Sequence, residues 1–394
     1  MYLMLDNGKT TPNLSVKYMS DTSVKSTTPA APEETPVEFR NAFEPPFALT
    51  GFPWRGPNGE LRRLPMTITA ADLARGDYAA ALAWHTSGGE VRFRTDSGRV
   101  AVLAELYQIH EKNHMTRNGT GGVACCTDVG SGEERFQGSI GISADEAKKA
   151  AGFDGSGMLE HTFALSGGAG KLRTVSVYLP LYSGVRKLEI GLDAGAQLLP
   201  PLPRKVGKPI CFYGSSITQG TSASHPGNNY TTLLCRALDA PEINMGFSGS
   251  ARAEECVAKA IAGLELAAFV MDYDHNAEDP EQLQATHEKF FKLIRAAQPE
   301  LPIVIVSGPR DIRVESSRKR RDIVEQTFKN AVAAGDKNVY FVDGLHFYDQ
   351  EGMPAIPRDY TTVDKVHPTD LGFHLMYRRI LPVLRKALGI ADRA

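Results

Sequence analysis

Cysteine is scarce in this 394-residue chain: there are five, two of them adjacent (Cys125 and Cys126), and no CxxC pair occurs. That excludes a disulfide framework and leaves buried, reduced thiols as the expectation. Long apolar runs are missing too. None approaches the roughly 18 residues that span a bilayer. The opening MYLMLDNGKTT lacks the basic n-region and the apolar length of a secretory signal. A cytoplasmic protein with no membrane partner is therefore expected. Neither sign of charge is in excess: 44 Lys and Arg face 46 Asp and Glu, a net charge of -2. Such a balance carries no electrostatic footprint for nucleic acid. The dinucleotide fingerprint GxGxxG is absent as well.

What is present is a pattern that changes along the chain. Residues 20–38, SDTSVKSTTPAAPEETPVE, hold Ser, Thr, Pro and Glu with few large apolar groups. This is the composition of a flexible arm or linker, placed at 1–38. From 39 to 203 the chain alternates. Val91 and Phe93 interleave with Arg92 and Arg94; Asp96-Ser97-Gly98 makes a turn; Val100, Val102, Ala104 and Leu106 resume the period. Val175, Val177 and Leu179, then Leu188, Ile190 and Leu192, repeat it. Period two with glycine-rich turns and no long helical pattern predicts an antiparallel, jelly-roll-like β-sandwich as an accessory domain. Pro200, Pro201 and Pro203 make a stiff connector, because proline fixes φ and lacks a donor.

The remaining part, 204–394, alternates short apolar runs (209–213, 242–245, 266–272, 302–307, 338–343) with amphipathic segments (228–239, 251–264, 280–297, 316–334, 370–388). Short strands without polar alternation are buried on both faces, so the fold class is α/β with a five-stranded, flavodoxin-like, doubly wound parallel sheet. Such sheets bind ligands beyond the carboxyl ends of their strands. The polar residues at those ends are Gly214-Ser215-Ser216, then Asn244 through Gly249, then Asp272 through Asn276, and last Asp364-Lys365-Val366-His367-Pro368.

The stretch FYGSSITQG at 212–220 decides between readings. A phosphate loop needs GxxxxGK[ST], but Gly214 and Gly220 are one residue too far apart and Thr221 follows. The GxSxG elbow fails because Thr218 occupies the second glycine position. A serine on a strand-to-helix turn remains. Here the chain resembles the SGNH/GDSL hydrolases. Gly214-Ser215-Ser216-Ile217-Thr218 is similar to their first block, with Ser215 in place of the usual Asp. Asn244 through Gly249 is similar to N-x-G-x-S-G. Asp274-His275-Asn276 keeps the asparagine of GxND but has Asp where Gly is usual and Ala277 where Asp is usual. Asp364 and His367 match DxxHP in full. Residues 92–97 (RFRTDS) and 177–182 (VYLPLY) look like the β-sandwich of a two-domain subgroup similar to acetyl-xylan and related carbohydrate esterases.

The resemblance implies Ser216 as nucleophile, His367 as base and Asp364 as its orienting partner, with an oxyanion hole from Ser216, Gly249 and Asn276. Ser215, Asp274 and His275 are expected to shape the pocket. No metal and no organic cofactor are implied. The expected activity is hydrolysis of a small acyl ester, acetyl first, on a carbohydrate; a lipid or thioester hydrolase on the same machinery is the runner-up. The partner is a small-molecule or oligosaccharide ester, and homo-oligomer contacts through the sandwich are open. Ser248, inside Gly246-Phe247-Ser248-Gly249, is a rival nucleophile. His287 reads as a packing or surface histidine, and the run Arg318 to Arg321 as a solvated helix face. Two other classes compete. His110-Glu111-Lys112-Asn113-His114 reads HExxH, which on a helix puts two histidines on one face for zinc. Glu133 or Glu134 would then be a third ligand. A non-catalytic carbohydrate-binding protein is the other rival.

Overall fold

Five apolar segments pair in parallel to form the centre of the computed structural model, which describes residues 36–311, 313–349, 354 and 356–391. They are β1 (Ile210–Gly214), β2 (Glu242–Gly246), β3 (Ala268–Asp272), β4 (Ile303–Val306) and β5 (Val339–Val342). Their spatial order is β2-β1-β3-β4-β5, the flavodoxin-like order, and each expected strand contains its observed one to within a residue or two. One face of the sheet (Tyr213, Met245, Phe269, Ile305) packs on Leu283, Phe290 and Ile294 of the helix Pro280–Ala297. The other (Phe212, Val270, Val304) packs on Phe373, Met376 and Ile380 of the helix Asp370–Ala387. Burial on both faces is why these strands lack polar alternation.

Register matters for the site. Gly214 stands level with Gly246 on one side and Asp272 on the other, so three chain exits leave the sheet at one height. A Cβ on Gly214 would lie 2.1 Å from the Asp272 carbonyl oxygen and 2.1 Å from Thr218 Oγ1. Only glycine lets the chain turn there this close to β3.

The region before the connector folds as two antiparallel sheets. One has the order Val37–Asn41, Gly184–Asp193, Arg99–Tyr107, Gly157–Ala164. The other runs Leu198–Leu199, Glu90–Thr95, Arg173–Tyr178, Gly122–Thr127, Arg135–Gly141, with Ala48–Thr50 also pairing Glu90–Thr95. Val91, Phe93, Val102, Leu106, Val177 and Ile190 fill the space between them, as their alternation predicts. Three short helices interrupt the sandwich at Gly76–Leu82, Arg117–Gly121 and Ala144–Lys149. The strand Val37–Asn41 reaches into the last residues of the expected arm; the rest of that arm, up to residue 35, lies outside the described residues.

Sandwich and α/β layers belong to one compact unit beginning at Pro36. A buried ionic cluster joins them. Arg92 lies 3.6 Å from Asp239, Arg204 lies 3.5 Å from the same carboxylate, and Arg204 also pairs with Glu90. Cysteines are free thiols, four of the five buried, as expected. No helix among the described residues is long and apolar enough to cross a membrane.

His287 is a packing histidine. It is buried on the helix Pro280–Ala297, stacked on Tyr273 at 5.4 Å, with Nδ1 bonded to Thr327 Oγ1 at 2.7 Å. Burial pushes its pKa down to about 3, with Glu288 opposing. The unfolded chain therefore takes the proton first, and stability is lost as pH falls below the unfolded histidine value. The expected loss from this group is about 1.4 kcal/mol per pH unit between roughly 6.5 and 3. Urea unfolding across that range should show a shallower pH slope for His287→Asn, by about one proton. Equal slopes would contradict the assignment.

Candidate active site

Four chain segments converge beyond the carboxyl ends of the parallel strands. The first is the turn after β1. Ser215 caps a one-turn helix, Ser216–Gln219, its hydroxyl accepting from Ile217 N–H at 3.2 Å. Ser216 follows as the first helical residue, so its N–H has no intrahelical acceptor. Its side chain faces the rim with the residue 7% exposed.

The second segment is the loop 362–368, pinned at its base by a bridge between Thr362 and Pro368. Val363 N–H donates to His367 O at 2.9 Å, and Lys365 takes a positive φ of 69°, closing a tight turn. Inside that turn Asp364 Oδ1 accepts from Val366 N–H at 3.0 Å and His367 N–H at 2.8 Å, while Oδ2 meets His367 Nδ1 at 2.6 Å. His367 Nε2 lies 2.9 Å from Ser216 Oγ. Desolvation pushes the Asp364 carboxyl up, but these hydrogen bonds and the imidazole together hold it below the usual carboxylate range. Thr369, not Asp364, caps the following helix.

Third comes the loop after β2. Asn244 is buried, its Nδ2 donating to Thr218 O at 2.7 Å and its Oδ1 accepting from Gly246 N–H at 2.9 Å. It fixes the serine turn against β2. Gly249 has φ of +67° with nothing near its absent Cβ, a conformation that costs glycine nothing. Fourth is the 3-10 turn Asp274–Asn276 after β3. Asn276 Oδ1 accepts from Ala251 N–H at 3.3 Å, which leaves the Nδ2 hydrogens without a protein acceptor among the described residues. Asn276 and Gly249 are thus linked through one short loop.

The expected pocket residues divide. Ser215 and Asp274 point inward and do not line the site: Ser215 is spent on its cap, and Asp274 accepts from Gly308 N–H at 3.1 Å with Arg310 at 3.7 Å. His275 does line a hollow of about 740 Å³ that adjoins Asp364 and includes Arg310, Arg358 and Val366. Burial and Arg310 keep its pKa well below the usual histidine value, so it is neutral. Ser248 has no imidazole beside it among the described residues, and the basic group it meets is an amine. Its hydroxyl receives Lys112 Nζ at 2.6 Å, and its N–H donates to Gln219 Oε1 at 3.0 Å.

The HExxH reading is corrected. Residues 108–116 form turns and coil rather than a helix, so His110 and His114 share no face. His110 packs edge-on to Tyr78 at 5.4 Å, whereas His114 stacks on His367 at 4.9 Å. Glu134 pairs with Arg236 instead. Among the described residues one group of potential ligands does meet, His114, Asp364 and His367, with ligand atoms within 4.8 Å of one another. Both ring nitrogens of His367 are already engaged by Ser216 and Asp364, so an ion there would displace one of them.

Sequence reasoning missed what the sandwich contributes. Ser87 Oγ donates to Gln219 O at 2.7 Å, and Gln219 Nε2 reaches His85 Nδ1 at 3.0 Å and Leu181 O at 3.1 Å. Tyr182 OH bonds Thr221 Oγ1. These contacts clamp the turn that carries Ser216. Arg63 is fully buried and donates to Asn244 O at 3.1 Å and to Gly246 O and Leu82 O at 2.6 Å each. No local pattern marks these residues: Ser87 and His85 meet Gln219, and Arg63 meets Asn244 and Gly246, across more than a hundred positions, while Leu181 and Tyr182 meet Gln219 and Thr221 across 38 and 39.

The fold and the rim define a class. The chain matches the GDSL-like lipase/acylhydrolase family over 207–385 and the N-terminus of SGNH-hydrolase-type esterases over 37–198, and it belongs to the SGNH/GDSL hydrolases. No protein of curated function matches it by sequence. Among solved structures it is similar to a protein of Bacteroides ovatus described as a GDSL-like lipase, at 26% identity and a TM-score of 0.75, covering 91% of this chain and 100% of that one. The salicylyl-acyltransferase SsfX3 of a tetracycline biosynthetic pathway shares the fold at 19% identity and a TM-score of 0.68, covering 90% and 98%. An acetyl xylan esterase of the rumen bacterium Butyrivibrio proteoclasticus shares it at 14% identity and 0.55, covering 90% and 99%.

Removing the Arg63 guanidinium leaves buried carbonyls of Asn244, Gly246 and Leu82 short of donors. Arg63→Met is expected to lower unfolding stability by about 2–4 kcal/mol, read from the urea midpoint. A loss under about 0.5 kcal/mol would mean that water replaces these bonds and that Arg63 does not support the loop.

Proposed function

We propose that the protein is a serine esterase in which Ser216, His367 and Asp364 act in sequence. The observation that carries this reading is the unbroken relay from Asp364 through His367 to Ser216 Oγ, with separations of 2.6 and 2.9 Å. A serine hydroxyl becomes a nucleophile when a neutral imidazole takes its proton. Asp364 at Nδ1 holds the ring in the tautomer that leaves Nε2 free to accept, and stabilises the imidazolium that follows.

In this reading Ser216 Oγ attacks the ester carbonyl and its proton moves to His367 Nε2. The carbonyl oxygen becomes an oxyanion that takes hydrogen bonds from Ser216 N–H, Gly249 N–H and Asn276 Nδ2. The C–O bond to the alcohol breaks, and the alcohol leaves with the proton from His367. Water, deprotonated by the same imidazole, then cleaves the acyl-enzyme and frees the carboxylic acid and Ser216. Every step runs on this chain's own groups.

A small acyl group, acetyl first, on a sugar hydroxyl is the substrate we favour. The side chains around the relay (Lys112, His114, Ser248, Asn276) are polar, which suits a short acyl chain and a hydroxyl-rich alcohol better than a fatty acid. The acetyl xylan esterase among the structural relatives supports the same class.

Ser216→Ala should abolish hydrolysis of 4-nitrophenyl acetate with the circular dichroism spectrum unchanged; turnover at the wild-type rate would refute the nucleophile. Asn276→Ala should lower kcat by about 10²–10³ with little change in KM, since its donor is expected to act on the developing charge. An unchanged kcat would remove Asn276 from the oxyanion hole.

A further inference from the structure

We infer that Lys112 binds a carboxylate carried by the substrate, so that the preferred ester is an anionic one. This rests on the serine-esterase reading and narrows its substrate class. Lys112 sits on the 108–116 loop of the sandwich. Its Nζ donates to Ser248 Oγ at 2.6 Å and lies 4.8 Å from the centroid of the Tyr182 ring. Ser248 precedes Gly249 directly, and His114, two residues beyond Lys112, is stacked on His367. The ammonium therefore stands at the rim of the same site.

What it lacks is an anion. Among the described residues Lys112 has a hydroxyl and an aromatic face as partners and forms no ion pair. The carboxylate that acts on it is Asp364, which already accepts from His367 Nδ1 and from two backbone N–H groups. Burial pushes the Lys112 pKa down to about 8, with Asp364 opposing. A half-buried ammonium whose one nearby carboxylate is engaged elsewhere is left short of compensation by a hydroxyl and a π face. A ligand carboxylate at that position restores it.

Arg358 repeats the pattern in the hollow that adjoins Asp364. Its guanidinium donates to Pro309 O at 2.7 Å and Lys365 O at 3.1 Å, carbonyls rather than carboxylates. Asp311 of that hollow is taken up by Arg313 at 2.7 Å, and Asp359 remains the other acid there beside Asp364. Among the described residues, then, two cations that form no ion pair border Asp364, although Asp311 also feels the Arg358 charge.

The carboxylate can belong to the acyl part, as in a hemi-ester of a dicarboxylic acid, or to the alcohol part, as in an acetylated uronic acid. Matched pairs separate these sources: 4-nitrophenyl hemisuccinate against 4-nitrophenyl butyrate, and acetylated glucuronic acid against acetylated glucose. The wild-type protein should favour the anionic member of one pair by about tenfold or more in kcat/KM, the scale of one hydrogen bond to a charged group. Lys112→Met should cut that ratio by about tenfold, chiefly through KM, and Lys112→Arg should restore most of it. A wild-type ratio at or below unity in both pairs overturns the inference, whether or not the variant folds. A folded Lys112→Met protein that keeps the wild-type ratio overturns it too. Hydrolysis without charge preference strikes Lys112 alone, whereas failure to hydrolyse any of the four esters overturns this inference and the esterase reading together.

Discussion

A 2.9 Å hydrogen bond between Ser216 Oγ and His367 Nε2 joins two turns that are 151 residues apart in sequence. The rest of the molecule can be understood as what holds those turns in register. Ser216 is set by the parallel sheet, because Gly214 leaves β1 level with Gly246 and Asp272. His367 is set by its own loop, whose shape depends on Asp364 accepting two backbone N–H groups as well as the ring. The carboxylate is thus both the loop's internal brace and the partner of the imidazole. Loss of its charge would loosen the loop and misplace the imidazole at once.

The sandwich takes part in that positioning. Ser87 and His85 hold Gln219, and Gln219 holds both the serine turn and Ser248 N–H. Arg63 reaches the carbonyls of β2 from the same side. Lys112 and His114 bring side chains to the rim itself. The buried cluster of Arg92, Arg204, Glu90 and Asp239 keeps the two layers from sliding. Charges buried this deeply favour one mutual arrangement, since any displacement would strand an unpaired ion.

Much of this was legible from the sequence, for reasons that can be named. The five strands announce themselves because burial on both faces removes polar residues from them, and the helices because a single face is apolar. The strand-end rule then collects Ser216, Gly249, Asn276, Asp364 and His367 at one rim before any coordinate is known. Side-chain direction was not legible. Ser215 and Asp274 sit beside residues that reach the rim, yet the turns they occupy aim them inward, at Ile217 N–H and at Gly308 N–H. The stretch from His110 to His114 drew attention as a zinc motif, but that meaning needs a helix, and the chain there is coil. Its residues matter for another reason, packing across the sandwich edge onto His367 and Ser248, which no local spacing encodes.

The most direct test of the central claim is covalent labelling with a fluorophosphonate, followed by mass spectrometry of the digested protein. An activated serine displaces fluoride and keeps the phosphonyl group; ordinary serines do not. The account requires one adduct per chain, on the peptide containing Ser216, and none after alkylation or replacement of His367. An adduct on Ser248, or labelling that persists without the His367 imidazole, would contradict it.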